Sequence, residues 1–338
     1  MSQITKRQHF VPRTFLKRFT VDGSETEKVW AKNKNNPDKN FSVNIKNVCL
    51  QKHLYTIDFA EATESDMMML EDFYCDNFES SYTQLYQLLT DESITSIDSS
   101  TKQFIIDTVI SMYYRVAKWF NKSIKEQKVV ISEIIEKAKE LEKSIIKTPT
   151  GETIDISGKS IDEILAELEP GRKLDYILLQ LNAFKSSAEL FGHYNISVNK
   201  TYEHHEFLTS DVPIVLNNGE VRLVEYLDKS CHIMLNISPK HCLTIMPPTG
   251  NSNLMINRVY MKDASSLMYT LINNDHQLRN CENLILGSES GMKFFDDCKG
   301  IRETKEAVET IIDLAEEEMK GIKDMYNKFW FRHQGKEI

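Results

Sequence analysis

The sequence lacks a long apolar run and contains little glycine or proline. No stretch approaches the ~18 consecutive apolar residues of a membrane-spanning helix. The segment 1–10 has no apolar core of the kind that a secretory signal needs, so we expect a cytoplasmic protein. With 12 glycines and 8 prolines in 338 residues and a hydrophobic fraction of 41%, the composition excludes a disordered or fibrous chain and allows a sizeable core.

Paired cysteines and familiar catalytic loops are also missing. None of the six cysteines lies in a Cys-x-x-Cys pair, and in a chain without a secretory signal this predicts reduced, buried thiols. No glycine-rich phosphate loop, Gly-x-Ser-x-Gly elbow or His-Glu-x-x-His motif occurs. The pairs His204-His205, Cys231-His232 and His241-Cys242 match no zinc-finger spacing, so we do not predict a zinc site there.

Charge is distributed unevenly along the chain. The net charge is −9, yet residues 1–52 hold eleven Lys and Arg against four acids, a local +7. An overall acidic protein does not coat duplex DNA non-specifically, since that requires a broadly basic surface. The basic N-terminal segment either forms a local patch for an anionic partner or folds back onto the acidic remainder of the chain.

Hydrophobic periodicity predicts an α+β protein with a short N-terminal helix and strands, a central helical region, an antiparallel hairpin block and a long C-terminal helix. The predicted helices are 12–19, 67–89, 99–121, 125–147, 161–168, 174–191, 263–277 and 302–331. The predicted strands are 29–32, 54–57, 194–198, 206–209, 213–216, 221–226, 232–237, 243–246 and 283–286. We expect turns at 35–38 and at Pro170-Gly171.

The first candidate site is the segment Gln8-His9-Phe10-Val11-Pro12-Arg13. If Pro12 begins a helix, His9 lies just before a helix N-terminus, where free N–H groups and the helix dipole favour anions. Arg13, Lys17 and Arg18 add positive charge that suits phosphate oxygens. The same dipole would keep His9 neutral, as a general base must be. The alternative is a buried histidine that hydrogen-bonds the backbone and fixes the segment.

The second candidate is Thr209-Ser210-Asp211-Val212-Pro213, between two predicted strands. An exposed Asp211 carboxylate at such a turn can bind a metal or orient a base. The alternative is an Asx-turn, in which Asp211 hydrogen-bonds its own backbone ahead of Pro213. A third candidate is Arg115, which either binds an anion or forms an ion pair with Glu79 or Asp107 on a helix, and we favour the ion pair.

Taken together, these segments resemble the domain of unknown function 4238 family. The resemblance runs from about residue 6 to 290. The residues that carry it are Gln8-His9-x-Val11-Pro12-Arg13 with Phe15, Leu16 and Phe19, then Val48, Tyr55-Thr56, Glu79, Arg115, Thr209-Ser210-Asp211-x-Pro213, Ile237-Ser238-Pro239 and Asn273. Val212 stands where the family usually has asparagine, and the family's Pro-Leu-Ser-Pro stretch is Asn236-Ile237-Ser238-Pro239 here.

The resemblance implies that His9, Arg13, Arg115 and Asp211 form one set. It also implies a family-like α+β domain over 1–290 with a helical insertion at about 122–170, followed by a C-terminal helical extension over 291–338. Bacterial members of the family are small, sporadic cytosolic proteins of the sort seen in phage-defence or toxin contexts. Family membership by itself implies no activity.

Three functional hypotheses follow. In the first, the protein is a metal-dependent phosphodiester hydrolase of the nuclease class, with nucleic acid as its substrate. His9 would be the base, Arg13 and Arg115 would neutralise phosphate, and Asp211 with Glu79 would hold Mg²⁺ or Mn²⁺. Substrate contacts would come from further polar side chains of the same segments: Gln8, Lys17, Arg18, Ser210 and Asn273.

In the second hypothesis, the protein binds a nucleotide or another small anion without chemistry, or recruits a partner protein or a second copy through the charged helix 125–147. In the third, the polar set is structural, and replacing His9 or Asp211 unfolds the protein.

Overall fold

The computed structural model describes residues 7–20, 28–57, 63–147, 153–218, 223–224, 226–248 and 254–303. Within these ranges the chain has the predicted α+β architecture, with helices and mainly antiparallel sheets. The predicted C-terminal helix 302–331 lies outside the described residues from 304 onward. No helix in these ranges combines the length and the apolar character that crossing a membrane requires.

The helices begin with a short N-terminal turn and include two long members near the middle of the chain. They are α1 Arg13–Leu16, α2 Glu64–Tyr74, α3 Ser81–Thr90, α4 Ser99–Arg115, α5 Ala117–Glu140, α6 Ile161–Phe191, α7 Asp263–Asn280, α8 Glu289–Asp297 and α9 Lys299–Glu303. A 3-10 turn at Lys17–Phe19 extends α1, and a π-helical turn at Cys75–Glu79 separates α2 from α3.

The strands form four sheets. They are β1 Arg7–His9, β2 Lys28–Asn33, β3 Asn36–Asn44, β4 Leu50–Lys52, β5 Ile145–Lys147, β6 Thr153–Asp155, β7 Asn195–Lys200, β8 Thr209–Ser210, β9 Ile214–Asn217, β10 His232–Ser238, β11 His241–Met246, β12 Ile256–Tyr260 and β13 Leu284–Gly287. The sheet orders are β1-β4, β12-β7-β11-β10-β9, β3-β2-β13-β8 and β5-β6.

The chain divides into two compact units. Among the described residues, the smaller unit comprises 7–8, 51–57, 63–73, 117–147 and 153–183, and the larger unit comprises the remainder. The division into a family-like domain over 1–290 and a C-terminal helical extension over 291–338 stays a prediction.

In the smaller unit, α5 and the start of α6 pack against the β5–β6 hairpin. Ile135, Ala138, Ile156 and Ile164 form the buried cluster. Ile135 and Ala138 lie three residues apart on one face of α5, and burying a large apolar side chain contributes roughly 1.5–3 kcal/mol.

The larger unit contains the five-stranded and four-stranded sheets. Apolar residues at the five-stranded sheet form a cluster of Phe207, Val215, Met234, Cys242 and Met261. At the four-stranded sheet, Met292 and Phe295 of α8 pack with Leu208 and Ile285. All six cysteines of the chain are free, as predicted, and only Cys75 is exposed.

The predicted strand 54–57 is wrong, because a side chain takes the place of a neighbouring strand. The backbone N–H of Tyr55 donates to Gln8 Oε1 at 2.7 Å instead of pairing in a ladder. The strand in this region is Leu50–Lys52. The predicted turn at 35–38 is also too long, since β3 already begins at Asn36 and carries Pro37 on the edge of its sheet.

The boundaries of the central helices differ from the prediction. The break lies at Val116, which is extended, and not after Asn121. Helix α6 runs continuously over Ile161–Phe191, so Pro170-Gly171 does not end it. A proline removes one backbone hydrogen bond from a helix interior, which weakens a long helix without forbidding it.

Helix α5 ends at Glu140, seven residues before the predicted limit of 147. Glu142 adopts a left-handed conformation with φ 53°. The N–H of Lys143 donates to the carbonyl of Ala138 at 2.9 Å, and that of Glu142 to Lys139 at 3.0 Å. This pair of bonds is a Schellman motif, which lets Ile145–Lys147 turn back as a strand.

Strand β12 was not predicted. Ile256–Tyr260 runs parallel to β7, and its partners are about 60 residues earlier in the chain, from Ile196 to Lys200. Helix α8 was also not predicted. Helix α7 and strands β7, β9, β10, β11 and β13 lie close to their predicted positions, whereas the strand predicted at 206–209 is only Thr209–Ser210. Of the strand predicted at 221–226, residues 221, 222 and 225 lie outside the described residues, and the remainder makes only a single bridge, between Leu223 and Asn217.

Replacing Glu142 with glycine should stabilise the smaller unit. Glycine adopts the left-handed conformation without the penalty of a Cβ atom, so Glu142→Gly should raise the free energy of unfolding by about 1 kcal/mol. The matched control is Glu136→Gly, in the exposed interior of α5, which should lower it by about 1 kcal/mol. Urea unfolding followed by circular dichroism measures both, and a loss of stability in Glu142→Gly would contradict the assigned helix end.

Candidate functional site

Arg115 is buried and makes hydrogen bonds within the larger unit. It lies at the end of α4 with 1% of its surface exposed. Its Nη2 donates to Glu79 Oε1 at 3.0 Å and to the carbonyl oxygen of His9 at 2.9 Å. The guanidinium group also lies 4.9 Å from the ring centre of Tyr74. The ion pair with Glu79 that the sequence favoured is therefore present.

The backbone of the N-terminal segment is fixed on both sides of His9. Arg115 holds the His9 carbonyl, and the N–H of Phe10 donates to the carbonyl of Cys49 at 3.0 Å. Pro12 is the N-cap of α1, not its first helical residue, and α1 has only four residues. So short a helix has a weak dipole, which removes the main reason to expect a neutral, anion-facing His9.

Gln8 contacts the protein's own backbone and side chains in the smaller unit. It is fully buried, its Oε1 accepts from Tyr55 N at 2.7 Å, and its Nε2 donates to Thr56 Oγ1 at 3.2 Å. Tyr55 and Thr56 belong to the same family pattern as Gln8. These motif residues thus form hydrogen bonds with one another.

The basic N-terminal residues of the larger unit fold back onto that unit. Arg18 lies 4.2 Å from the ring centre of Tyr86, and half-buried Arg13 and Lys17 flank it along the chain. Lys32 forms an ion pair with Asp296. Lys34 Nζ donates to the carbonyl oxygens of Arg279 and Cys281 at 2.8 and 2.7 Å. These contacts match the alternative in which the basic segment folds onto the acidic remainder.

Asp211 is buried, not exposed as expected, with 4% of its surface accessible. Its carboxylate accepts the backbone N–H groups of Glu282, Asn283 and Leu284 at 2.9, 2.7 and 3.1 Å. It does not form the Asx-turn, since the N–H for that turn would have to come from Pro213, which has none. The N–H of Val212 donates to Ser210 Oγ at 3.1 Å. Burial raises the pKa of Asp211 above its usual range, and the bonds from the three N–H groups oppose that rise.

Asp211 and the N-terminal segment share a neighbour in the larger unit. Burial raises the pKa of the Cys49 thiol well above its ordinary value, and the charge of Asp211 raises it further. The carbonyl of Cys49 accepts the N–H of Phe10. The N-terminal segment and Asp211, the two halves of the predicted site, therefore both interact with buried Cys49, and both are parts of the core.

The amide side chains of α7 hold the irregular segment around β8. Ser210 Oγ donates to Gln277 Oε1 at 2.8 Å, and Gln277 Nε2 donates to the carbonyl of Pro213 at 2.8 Å. Asn280 Nδ2 donates to the carbonyl of Ile214 at 2.8 Å. Asn273, 1% exposed, accepts from Asn236 Nδ2 at 2.9 Å. The polar residues predicted to bind substrate here satisfy buried protein groups instead.

The described residues form an open cleft elsewhere in the larger unit, at one end of the five-stranded sheet. No sequence motif indicated this cleft. Its walls come from the end of α3 with the residues that follow, and from β7, β11 and β12: Leu89, Thr90, Glu92, Val198, Lys200, His241, Arg258, Val259 and Tyr260. Strand pairing places Lys200 opposite both His241 and Tyr260.

Two cationic side chains line this cleft. Lys200 Nζ lies 2.8 Å from Glu92 Oε1 and 5.6 Å from the ring centre of Tyr260. The bond and the charge of Lys200 hold the pKa of Glu92 below its usual value. Arg258 donates from Nη2 to the carbonyl of Asp91. Its Nε and Nη1 are buried and have no hydrogen-bond partner among the described residues.

His241 completes the polar lining. Its Nδ1 lies 3.0 Å from Ser238 Oγ. Its pKa is lowered to about 4, mainly by burial and also by the positive charges of Lys200 and Arg258, while Glu92 opposes them. His241 is therefore a neutral imidazole at pH 7.

Among the residues that the structure describes, the other histidine and cysteine pairs build no metal centre. His204 is exposed, whereas His205 Nδ1 lies 2.9 Å from the buried Ser266 Oγ. Within the described ranges, no group of three or more His, Cys, Asp or Glu side chains is arranged to hold a metal ion. The Mg²⁺ or Mn²⁺ requirement stays a prediction from the sequence.

Comparison with protein families places the chain as its motifs indicated. The family model described as "Protein of unknown function (DUF4238)" matches residues 7–291. The chain belongs to the DUF4238 family. No curated protein and no solved structure matches it. In this DUF4238 protein, the described family-pattern residues Gln8, Arg115, Ser210 and Asp211 are buried, and each is hydrogen-bonded to other parts of the chain.

Removing the Asp211 carboxylate should destabilise the larger unit strongly. Asp211→Ala leaves three backbone N–H groups without an acceptor, and each unsatisfied buried group costs ~1–3 kcal/mol. We expect the free energy of unfolding to fall by at least about 3 kcal/mol, measured by urea unfolding. The matched control is Glu203→Ala in the same unit, whose side chain is 71% exposed. A stable, folded Asp211→Ala protein would contradict the structural role.

The low pKa of His241 should make stability depend on pH. Between pH 6.5 and about 4 the unfolded chain takes up a proton on this residue that the folded chain does not. The free energy of unfolding must therefore fall as the pH is lowered through that range, by up to about 3 kcal/mol. In His241→Gln the loss between pH 7 and pH 4.5 should be smaller than in the wild type. Equal losses in the two proteins would contradict the assignment.

Proposed function

We propose that this protein is an oxyanion-binding module whose ligand is a small phosphate-bearing molecule, such as a nucleotide, bound through its phosphate at the open cleft of Lys200, His241 and Arg258. The observation that carries the proposal is that two cationic side chains, Lys200 and Arg258, line one cleft, and that Arg258 keeps two buried donors, Nε and Nη1, without partners in the described part of the chain. Two positive charges at one cleft favour an anion, and a turn of the Arg258 side chain toward that anion would give its buried donors acceptors.

The side chains around Arg258 suit the same ligand class. Arginine recognises phosphate and carboxylate oxygens through fixed, planar N–H donors, and Lys200 adds a second positive charge. Tyr260, 51% exposed, presents an aromatic ring at the cleft rim against which a base can stack. Together they offer contacts to both parts of a nucleotide.

Glu92 opposes the binding of an anion, so the proposal predicts that removing its charge increases affinity. Its carboxylate forms an ion pair with Lys200, one of the two cations of the cleft, at 2.8 Å. An incoming oxyanion competes with Glu92 for this ammonium group and is repelled by its charge. Glu92 therefore lowers the affinity of the cleft for an anion, and binding does not require it.

The geometry supports this binding hypothesis better than a hydrolase built on His9, Arg13, Arg115 and Asp211. The Asp211 carboxylate already accepts three N–H groups, and Arg115 is already paired with Glu79. Nuclease activity, a role in phage defence and recruitment of a partner protein through helix 125–147 stay predictions from the sequence.

The proposal is tested by calorimetric titration of the full chain with inorganic phosphate and with adenosine 5′-monophosphate at low salt. We expect Arg258→Ala to weaken binding by about 10-fold or more, because hydrogen bonds to a charged group are lost. We expect Glu92→Gln to strengthen it by about 2- to 5-fold, because a competing charge is removed. The matched control is Arg279→Ala, whose side chain is 68% exposed and pairs with Asp275.

Two results would contradict the proposal. The first is the absence of binding by the wild type. The second is equal weakening in Glu92→Gln and Arg258→Ala, which is the result expected if both charges only fasten the α3–α4 loop to the sheet. A parallel incubation of DNA and RNA with Mg²⁺ or Mn²⁺ tests the hydrolase hypothesis: degradation by the wild type that His9→Ala abolishes would favour it over a binding module.

A further inference from the structure

The turn between β10 and β11 determines which nitrogen of His241 carries the proton. Ser238 is 4% exposed, and its Oγ lies within hydrogen-bond distance of three nitrogen atoms. These are Lys240 N at 3.2 Å, His241 N at 3.1 Å and His241 Nδ1 at 3.0 Å. Ser238 belongs to the Ile237-Ser238-Pro239 stretch of the family pattern, and no role in the cleft follows from that pattern.

The hydroxyl group can satisfy these three neighbours in only one way. A serine hydroxyl has two acceptor lone pairs and one proton. The two backbone N–H groups can only donate, so they occupy both lone pairs. The remaining hydroxyl proton must then point at Nδ1, which has to be an unprotonated acceptor. A proton on Nδ1 would face an oxygen with no lone pair left.

We infer that Ser238 is a positioning residue that fixes His241 as the Nε2–H tautomer, so that His241 presents a hydrogen-bond donor, and not an acceptor, to a ligand in the cleft. The His241 ring lines the cleft, and its contacts to protein groups among the described residues are made through Nδ1. This inference rests on the proposed function only for the identity of the ligand, because the tautomer can be measured without one.

The fixed tautomer narrows the ligand class. His241, Lys200 and Arg258 line the cleft, and the Nε2–H, ammonium and guanidinium groups that they carry are all donors. Hydrogen-bond donors from three residues around one cleft suit a group whose oxygens all accept, which describes a phosphate monoester dianion or sulfate. A neutral alcohol or amide places its own donors against these donors and is disfavoured.

The tautomer is tested by nitrogen-15 NMR of the full chain with labelled histidine at pH 7. We expect the His241 Nδ1 signal of an unprotonated imidazole nitrogen and the Nε2 signal of a protonated one. Addition of inorganic phosphate should then shift the Nε2–H proton signal. A protonated Nδ1 in the wild type would overturn the inference whether or not phosphate binds.

Variants separate positioning from folding. Ser238→Ala should give a mixture of His241 tautomers and bind inorganic phosphate about 3- to 10-fold more weakly, the effect of one hydrogen bond. Ser238→Thr, which retains the hydroxyl, should restore both readouts. The control Ser230→Ala removes a hydroxyl that bonds Asp228 in an exposed turn and should change neither.

The two claims fail in different ways. If the wild type has the Nε2–H tautomer but no phosphate binding, the proposed function fails and the role of Ser238 in fixing the tautomer stands. If Ser238→Ala keeps the wild-type tautomer, the role of Ser238 is wrong even when phosphate binds.

Discussion

The hydrogen bonds of the Asp211 carboxylate are the interaction on which the second half of the larger unit depends. One buried side chain accepts three backbone N–H groups that lie 71 to 73 residues further along the chain. The N–H of Asp211 in turn donates to the carbonyl of Leu284 at 3.0 Å. These bonds set the position of β13, which pairs with both β2 and β8. Buried backbone groups must find partners, and in this irregular region a carboxylate supplies them.

The same constraint explains the polar face of α7. The segment from Leu208 to Pro213 is buried yet has only two residues in a strand, β8, so its remaining backbone groups have few strand partners. Asn274, Gln277 and Asn280 reach from α7 to that backbone. Ser210, which belongs to the family pattern, donates to Gln277, so the role of this motif residue is to satisfy a buried partner.

Local patterns predicted much of the fold. The α+β class, α4, α7 and the hairpin strands follow from apolar spacing and turn residues that lie within each element. The strand predicted at 54–57 failed because Gln8, far away in sequence, bonds the backbone there. Strand β12 was missed because its parallel partner is β7, and no turn links the two strands locally.

The candidate site was less accessible to sequence reasoning than the fold. An ion pair of Arg115 with Glu79 or Asp107 was foreseen, because these residues lie on predicted helices and carry opposite charges, and the structure has the pair with Glu79. The burial of Asp211 was not, since its partners are backbone groups that leave no trace in residue identity. The cleft of Lys200, His241 and Arg258 draws on three strands and a loop, and none of its residues stands in a recognisable motif. Only Ser238, through its place in the family pattern, gave a signal near it.

The polar residues of this protein fall into a buried set that builds the core and a cleft set for which we propose oxyanion binding. Chemical-shift mapping of the full chain with inorganic phosphate tests this division most directly. We expect dose-dependent shifts at Lys200, His241 and Arg258, with the segment from His9 to Arg18 unchanged. Shifts centred on His9 and Arg13 instead, with the cleft signals unmoved, would contradict it.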